Sequence, residues 1–286
     1  MTLNPKEFLF VSDLDGTLLE PEGKFPQESI DRLNRLIDRG LHFSIATARN
    51  HDSAYQILNK LNIKLPVILF NGVYLSEFHS GETIVMSGLL SKETKIDLFT
   101  IADSRGLTPF VYTYGERQHL YHGEPRNQAA YHYIRTLSND NRLRYTPDFF
   151  SLKEQVSGLL FIDTRRVLKP LHDILAEKYP DSLNMYFQED ISNPGFYWLQ
   201  IYRNGSNKGI MLKQLAERLK FPLSKVVAFG DYVNDLDMFE VAGTSIAMAN
   251  ALPQVKSAAT HIIGSNEEGA VIEYLESLSF DYNPDC

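Results

Sequence analysis

Short apolar runs alternate with helix-periodic segments over the first quarter of the chain. Residues 8–11 (Phe-Leu-Phe-Val) form an apolar run that stops at Ser12-Asp13, a length that suits a buried strand better than a helix. Residues 27–38 place Ile30, Leu33, Leu36 and Ile37 on one helical face, and Gly40 ends that segment. Residues 41–46 read as a second strand and residues 54–60 as part of a second helix. Pro66 then introduces a third short buried strand over 67–70. Strand, helix, strand, helix, strand predicts a parallel sheet covered by helices on both faces.

The far end of the chain has the same style. Residues 208–219 read as a helix with Ile210, Leu212, Leu215 and Leu219 as its apolar members. A strand over 226–229 stops at Gly230-Asp231. A short helix over 236–241, a strand over 245–248 and a terminal helix over 267–278 follow. Between these ends the pattern changes. Residues 107–114 and 118–121 flank Gly115-Glu116 as a hairpin. Residues 128–137 read as a helix, 158–162, 184–188 and 197–201 as strands, and 166–178 as a helix whose first turn Pro170 marks. The expected organisation is an α/β core domain built from residues 1–82 and 202–286, with a smaller α+β domain inserted over 83–201.

Composition narrows the function. With 43% hydrophobic residues, 286 residues suffice for a sizeable core. Lys plus Arg number 28 against 36 for Asp plus Glu, so the formal charge is −8 and no excess of cation favours nucleic acid. Cys286 is the only cysteine, which excludes an intramolecular disulfide and fits a reducing compartment. The N-terminal residues lack the basic, apolar and small-residue succession of an export signal, and no apolar stretch reaches the roughly 18 residues of a membrane span. The expected location is cytoplasmic, with no membrane partner and a monomer or weak homo-oligomer as the assembly.

The chemistry concentrates at strand ends. Asp13 and Asp15, in Ser-Asp-Leu-Asp-Gly-Thr, follow the first predicted strand, where open α/β sheets place their ligands. Gly16 lets the backbone turn sharply and approach a ligand. A divalent cation on Asp13 would screen the repulsion between carboxylate and phosphate. A carboxylate oxygen would attack phosphorus, and Asp15 would move the proton. A plain Asp-Gly turn is the competing reading of this segment taken alone. Gly230-Asp231-Tyr232-Val233-Asn234-Asp235 supplies a second acidic group after another strand. A helix N-cap there would need one carboxylate, and the segment offers two and an amide. Thr47, before Ala48 and Arg49, offers a hydroxyl to a phosphoryl oxygen or caps a helix. Lys208 opens a helix, the end that disfavours a cation, so it either serves a phosphoryl group or sits exposed with its charge in water.

In order and spacing these segments resemble the haloacid dehalogenase-like phosphatases, in particular the Cof-type branch with an inserted α/β (type IIB) cap. The matching segments are Asp13-Leu-Asp15-Gly-Thr17-Leu-Leu, Thr47, Asn71-Gly72, Lys208-Gly209 and Gly230-Asp231-Tyr-Val-Asn234-Asp235-Leu-Asp-Met238. Met248-Ala-Asn250-Ala251, Val255-Lys256 and Ser265-Asn266-Glu267-Glu268-Gly269 complete the pattern. The resemblance implies a Rossmann-like parallel-sheet core with an inserted cap, and magnesium-dependent hydrolysis of a small phosphorylated metabolite. It makes Asp13 the nucleophile and Asp15 the general acid and base. Thr47 and Lys208 would hold the phosphoryl group. Mg2+ would sit on Asp13, the Asp15 backbone carbonyl and Asp231. Asp235 would support the metal site, and Asn234 would orient Lys208 or the phosphoryl group. Ala48 stands where the family usually has glycine, which makes the pose of Arg49 an open point.

A phosphomutase or phosphotransferase would use the same aspartyl-phosphate with a sugar acceptor in place of water. A non-catalytic metabolite-binding protein would be expected to lose one of Asp13, Asp15, Lys208 or Asp231, and all are present. Further candidate substrate contacts are Ala48, Arg49, Asn71 and Gly72 in the core, with Arg117, His119 and Arg126 in the insertion. There a solvated cationic face is the competing reading. The catalytic segments all lie outside the insertion, so the insertion is expected to act as a mobile cap that sets substrate choice.

Overall fold

The computed structural model of the chain describes residues 4–115, 118–138, 140–190 and 193–278. The chain divides into two compact units, Met1–Ser87 with Ser206–Cys286, and Gly88–Gly205. In the first unit five strands run parallel, in the order His261–Ile262, Thr244–Ala247, Val226–Gly230, Leu9–Ser12, His42–Ile45. Leu9–Ser12 and Val226–Gly230 are buried at every position, as strands covered by helices must be.

The helix Gln27–Asp38 buries Ile30, Leu33, Leu36 and Ile37, the face its sequence period predicts. Arg32 on its outer side pairs with Glu276 of the helix Ala270–Ser277 at 2.7 Å. The helix Lys208–Leu219 starts where expected because Asn207 caps it, its Oδ1 accepting from the Ile210 N–H.

The expected third parallel strand is different. Val67–Leu69 pairs antiparallel with Tyr74–Ser76, which pairs with Thr83–Met86. It meets the parallel sheet through a single bridge, Ala46 to Ile68. The cause is a reversal at Phe70, Asn71 and Gly72, whose φ values are +53°, +52° and +85°. That left-handed run turns the chain back into a hairpin instead of a crossover. Thr83–Met86, placed in the insertion by the sequence reading, therefore belongs to the first unit. Within that unit the hydroxyls of Ser87 and Ser206 lie 2.6 Å apart, so the chain leaves and re-enters at one point.

The second unit holds a six-stranded sheet in the order Leu183–Glu189, Phe196–Arg203, Gln155–Thr164, Phe110–Tyr114, Leu120–His122, Leu143–Tyr145. Its pairs are antiparallel except the last, which is parallel. Phe110–Tyr114 and Leu120–His122 form the expected hairpin. Leu98, Phe99, Leu168, Leu171 and Leu175 pack from two helices onto Val111, Leu159, Phe161, Leu199 and Ile201 of the sheet. Pro170 lies inside the helix Arg165–Lys178, beyond its first turn, whereas the sequence pattern places it in the first turn.

Candidate active site

Parallel neighbours bring their carboxyl ends to one edge of the sheet, and the ladder continues into the loops beyond them. The Asp13 N–H donates to the Phe229 carbonyl at 3.0 Å, Ala46 to Ser12 at 2.9 Å, and Met248 to Gly230 at 3.2 Å. The residues that follow these strands are therefore held side by side. Lys208 reaches the same point from its helix start. Its ammonium donates to Asp13 Oδ1 at 2.6 Å and to Asp235 Oδ1 at 2.7 Å, with the lysine fully buried. The exposed-lysine reading is thus excluded. Asp235 Oδ2 accepts from the N–H groups of Asp231 and Tyr232 at 2.9 and 3.0 Å. Asp235 therefore shapes the turn that carries Asp231 and anchors the lysine as well.

The loop after Asp13 is pressed onto Asp231. Gly16 has φ +79°, and a Cβ there would fall 2.3 Å from Asp231 Oδ2, so both conformation and space require glycine. Thr17 Oγ1 donates to Asp231 Oδ1 at 2.9 Å. This contact was missed in the sequence, although its signal is a hydroxyl directly after the Asp-Gly turn. Gly72 is equally constrained. Its φ is +85°, and a Cβ would sit 2.1 Å from the Asn207 carbonyl oxygen that precedes Lys208. Asn71, buried beside it, accepts from Asn234 Nδ2 at 2.9 Å. Asn234 was expected to orient Lys208 or the phosphoryl group. Its Nδ2 holds Asn71, while the lysine's own partners are Asp13 and Asp235.

Thr47 is fully buried, and its Oγ1 accepts from the Arg49 N–H at 3.0 Å, which leaves the hydroxyl proton to donate. Ala48 between them is absent from the described residues with positive φ, so its methyl meets no backbone conflict. Arg49 closes on Asp15 as a fork, with Nε to Oδ2 and Nη2 to Oδ1 both at 2.7 Å. Sequence spacing gave no sign of this pairing.

Burial pushes the Asp13 carboxyl well above the usual range against the attraction of Lys208, with Asp235, Asp231 and Asp15 adding to the rise. Burial and Asp235 push Asp231 up to about 7, against the Thr17 hydrogen bond and Lys208. Burial alone would depress Lys208, but Asp13 and Asp235 overcome it and hold the ammonium charged. The carboxylates Asp13, Asp15, Asp231 and Asp235 thus outnumber the cations Lys208 and Arg49 around them.

One carboxylate oxygen from each of Asp13, Asp231 and Asp235 lies within 4.8 Å of the others. The donors are all oxygen, without thiolate or imidazole, and buried carboxyls with raised pKa values signal missing positive charge. This donor set fits a hard divalent cation. Both oxygens of Asp235 are already engaged by Lys208 and backbone N–H groups. Asp13 and Asp231 are the carboxylates that could ligate it.

A family model described as haloacid dehalogenase-like hydrolase matches residues 10–275. The chain belongs to this family. The hydrolase is 23% identical over 274 residues to the 5-amino-6-(5-phospho-D-ribitylamino)uracil phosphatase YitU of Bacillus subtilis, covering 96% of this chain and 98% of that one. It is 26% identical over 268 residues to the pyridoxal phosphate phosphatase YbhA of Escherichia coli, covering 93% and 96%. Among solved structures, TM0651 from Thermotoga maritima superposes with a TM-score of 0.76 at 28% identity, covering 96% and 98%.

The candidate contacts of the insertion lie in the hydrolase's second unit. His119 Nδ1 is 3.5 Å from both the Tyr121 hydroxyl and Glu154 Oε1. Arg126 Nε donates to Thr108 Oγ1 at 3.1 Å. Arg117 lies outside the described residues. His119 and Arg126 thus have partners within their own unit. Among the described residues no helix is long and apolar enough to cross a membrane.

Proposed function

We propose that this hydrolase is a magnesium-dependent phosphomonoesterase that acts on a small phosphorylated metabolite through an aspartyl-phosphate on Asp13. The observation that carries the reading is the buried cluster of Lys208, Asp13, Asp231 and Asp235, in which carboxylates outnumber cations. A site built this way is short of positive charge until a metal enters, and it then suits a dianionic phosphoryl group. That relatives matched over more than nine-tenths of both chains are named phosphatases of 5-amino-6-(5-phospho-D-ribitylamino)uracil and of pyridoxal phosphate supports a metabolite-sized substrate.

In this reading Asp13 Oδ1 is fixed by Lys208, and the other carboxylate oxygen attacks phosphorus. The bond from phosphorus to the ester oxygen breaks, and Asp15 gives that oxygen its proton. Water then attacks the phosphorus of the aspartyl-phosphate, and Asp15 takes the proton back. Asp13 is regenerated and inorganic phosphate leaves. The Thr47 hydroxyl and the Lys208 ammonium hold the phosphoryl oxygens. Mg2+, held by Asp13, Asp231 and the Asp15 carbonyl, would neutralise charge between the carboxylate and the phosphoryl group. Arg49 holds both oxygens of Asp15, so a leaving oxygen that takes the Asp15 proton competes with this fork.

The test is a screen of phosphorylated metabolites with Mg2+ present, ranked by kcat/KM. Dialysis against EDTA is expected to abolish phosphate release, and added Mg2+ to restore it. Full turnover by metal-free protein would contradict the reading.

A pH effect follows from Asp231. Its carboxyl sits at about 7 in the folded metal-free protein, against ~3.9 in an unfolded chain. Raised above its unfolded value, it weakens the metal-free fold as pH rises through this interval, because the folded state binds the extra proton. Mg2+ binding at pH 6 is therefore expected to release protons and at pH 9 to release fewer. Calorimetry in buffers of different ionisation enthalpy measures this. Equal proton release at both values would show that no carboxyl of the cluster titrates near neutrality.

A further inference from the structure

Two asparagines outside the catalytic set hold the nucleophile loop from the opposite side. After Asp13 the chain makes one wide turn, closed by Leu18 N–H to the Asp13 carbonyl at 3.3 Å and Leu19 N–H to the Leu14 carbonyl at 2.9 Å. Inside it Asp15 and Gly16 have non-helical dihedrals, so regular helix hydrogen bonds are not available to their carbonyls. Asn250 Nδ2 donates to the Gly16 carbonyl at 2.8 Å, and Asn266 Nδ2 donates to the Leu19 carbonyl at 2.8 Å. The asparagines are joined to each other, since the Asn266 N–H donates to Asn250 Oδ1 at 3.1 Å.

Each sits on a loop that is itself fixed. Asn250 follows Thr244–Ala247, and two residues on, the Leu252 N–H donates to the Asp231 carbonyl at 3.1 Å. Asn266 opens a turn closed by the reciprocal capping of Ser265 and Glu268. The segment from Met248 to Leu252 therefore grips both sides of the proposed metal position. It holds the Gly16 peptide through Asn250 and the Asp231 main chain through Leu252.

From this geometry we infer that Asn250 and Asn266 are positioning residues that set the spacing between the Asp15 carbonyl and the Asp231 carboxylate, and thereby the affinity for Mg2+. The inference rests on the metal reading of the site. The reason is that Gly16 O is one peptide beyond the Asp15 carbonyl. Freeing it lets the Asp15–Gly16 peptide rotate away from Asp231, and a cation that demands near-octahedral oxygen geometry responds to such a shift. Ligand-orienting partners of metal sites commonly change affinity by 10- to 100-fold when removed, roughly.

The experiment uses the full chain and measures direct binding of Mn2+ by the electron paramagnetic resonance of the free ion, with Mg2+ as competitor. Asn250 is exposed, so Asn250→Ala is expected to fold, and circular dichroism checks it. Expected is a dissociation constant about tenfold weaker, which corresponds to ~1.4 kcal/mol, with kcat at saturating metal within about threefold of wild type. Asn266→Ala is expected to weaken binding similarly, and the double variant by less than the product of the two, because both side-chain amides hold the one turn that follows Asp13. Wild-type affinity in folded Asn250→Ala, beside a wild type that binds, overturns this inference alone. So does a lower melting temperature with unchanged affinity, which would make the pair purely structural. A wild type that binds no Mn2+ overturns the metal reading itself, and the positioning role with it.

Discussion

Asp13→Asn is expected to lose about ten-thousand-fold or more in phosphate release while folding as well as the wild type, a loss of the size seen when a covalent nucleophile is removed. The amide keeps the shape of the side chain and loses the attacking oxygen. It also removes one buried negative charge from a cluster whose carboxyls are already pushed upward by burial and by one another. Lys208 keeps its second partner, Asp235, at 2.7 Å, so the lysine is not stranded. The metal-free variant should therefore melt no lower than the wild type at pH 8. Circular dichroism checks the fold, and a phosphate-release assay checks the chemistry. Turnover near the wild-type rate would exclude Asp13 as the attacking group.

Lys208→Met is expected to damage both stability and catalysis. Methionine fills a similar volume, but Asp13 and Asp235 are then buried without their counter-ion. Breaking a buried pair from one side commonly costs about 3–5 kcal/mol. The cost should grow with pH. Without the attraction of Lys208 the folded-state pKa values of Asp13 and Asp231 rise further above their unfolded values, and that stability is lost as the two groups are forced to ionise. Added Mg2+ should recover part of it, since the cation replaces the missing charge. Loss of an electrostatic contact to the transferring group lowers kcat by roughly 100- to 1,000-fold. Thermal melts at pH 5.5 and pH 8, with and without Mg2+, measure the first effect, and steady-state kinetics the second. A variant as stable as wild type at pH 8 would contradict the electrostatic account of the cluster.

The core site was legible because its parts sit where simple rules place them. Asp13, Thr47 and Asp231 each follow a short apolar run, and such runs become neighbouring parallel strands whose carboxyl ends share one edge. Lys208 was visible through a conflict, a cation at the wrong end of a helix, which the buried carboxylates now explain. What could not be read were partners set by tertiary approach. The Arg49 fork on Asp15, the Asn234 amide on Asn71 and the Thr17 hydroxyl on Asp231 join segments up to hundreds of residues apart, and no local period encodes them.

The same limit shows in the fold. A four-residue apolar run at 67–70 announces a buried strand but not its partner, and the left-handed turn at Phe70 to Gly72 sends it into an antiparallel hairpin. The helix Lys92–Asp103 went unread because its buried face carries a lysine. Lys95 is buried with Leu98, Phe99 and Ala102, its ammonium donating to the Leu152 carbonyl, while Ile96 is exposed. Charge inside and an isoleucine outside blur the helical period.

The central claim is that the phosphoryl group passes through Asp13. The most direct measurement is chemical trapping during turnover. The enzyme, mixed with Mg2+ and its best substrate from the metabolite screen, is quenched in acid and reduced with borohydride, which converts an acyl phosphate to the corresponding alcohol. Peptide mass spectrometry then locates the change. The account predicts reduction at Asp13, dependent on both substrate and Mg2+. Phosphate release with an unmodified Asp13, or with the trapped group on another residue, would contradict it.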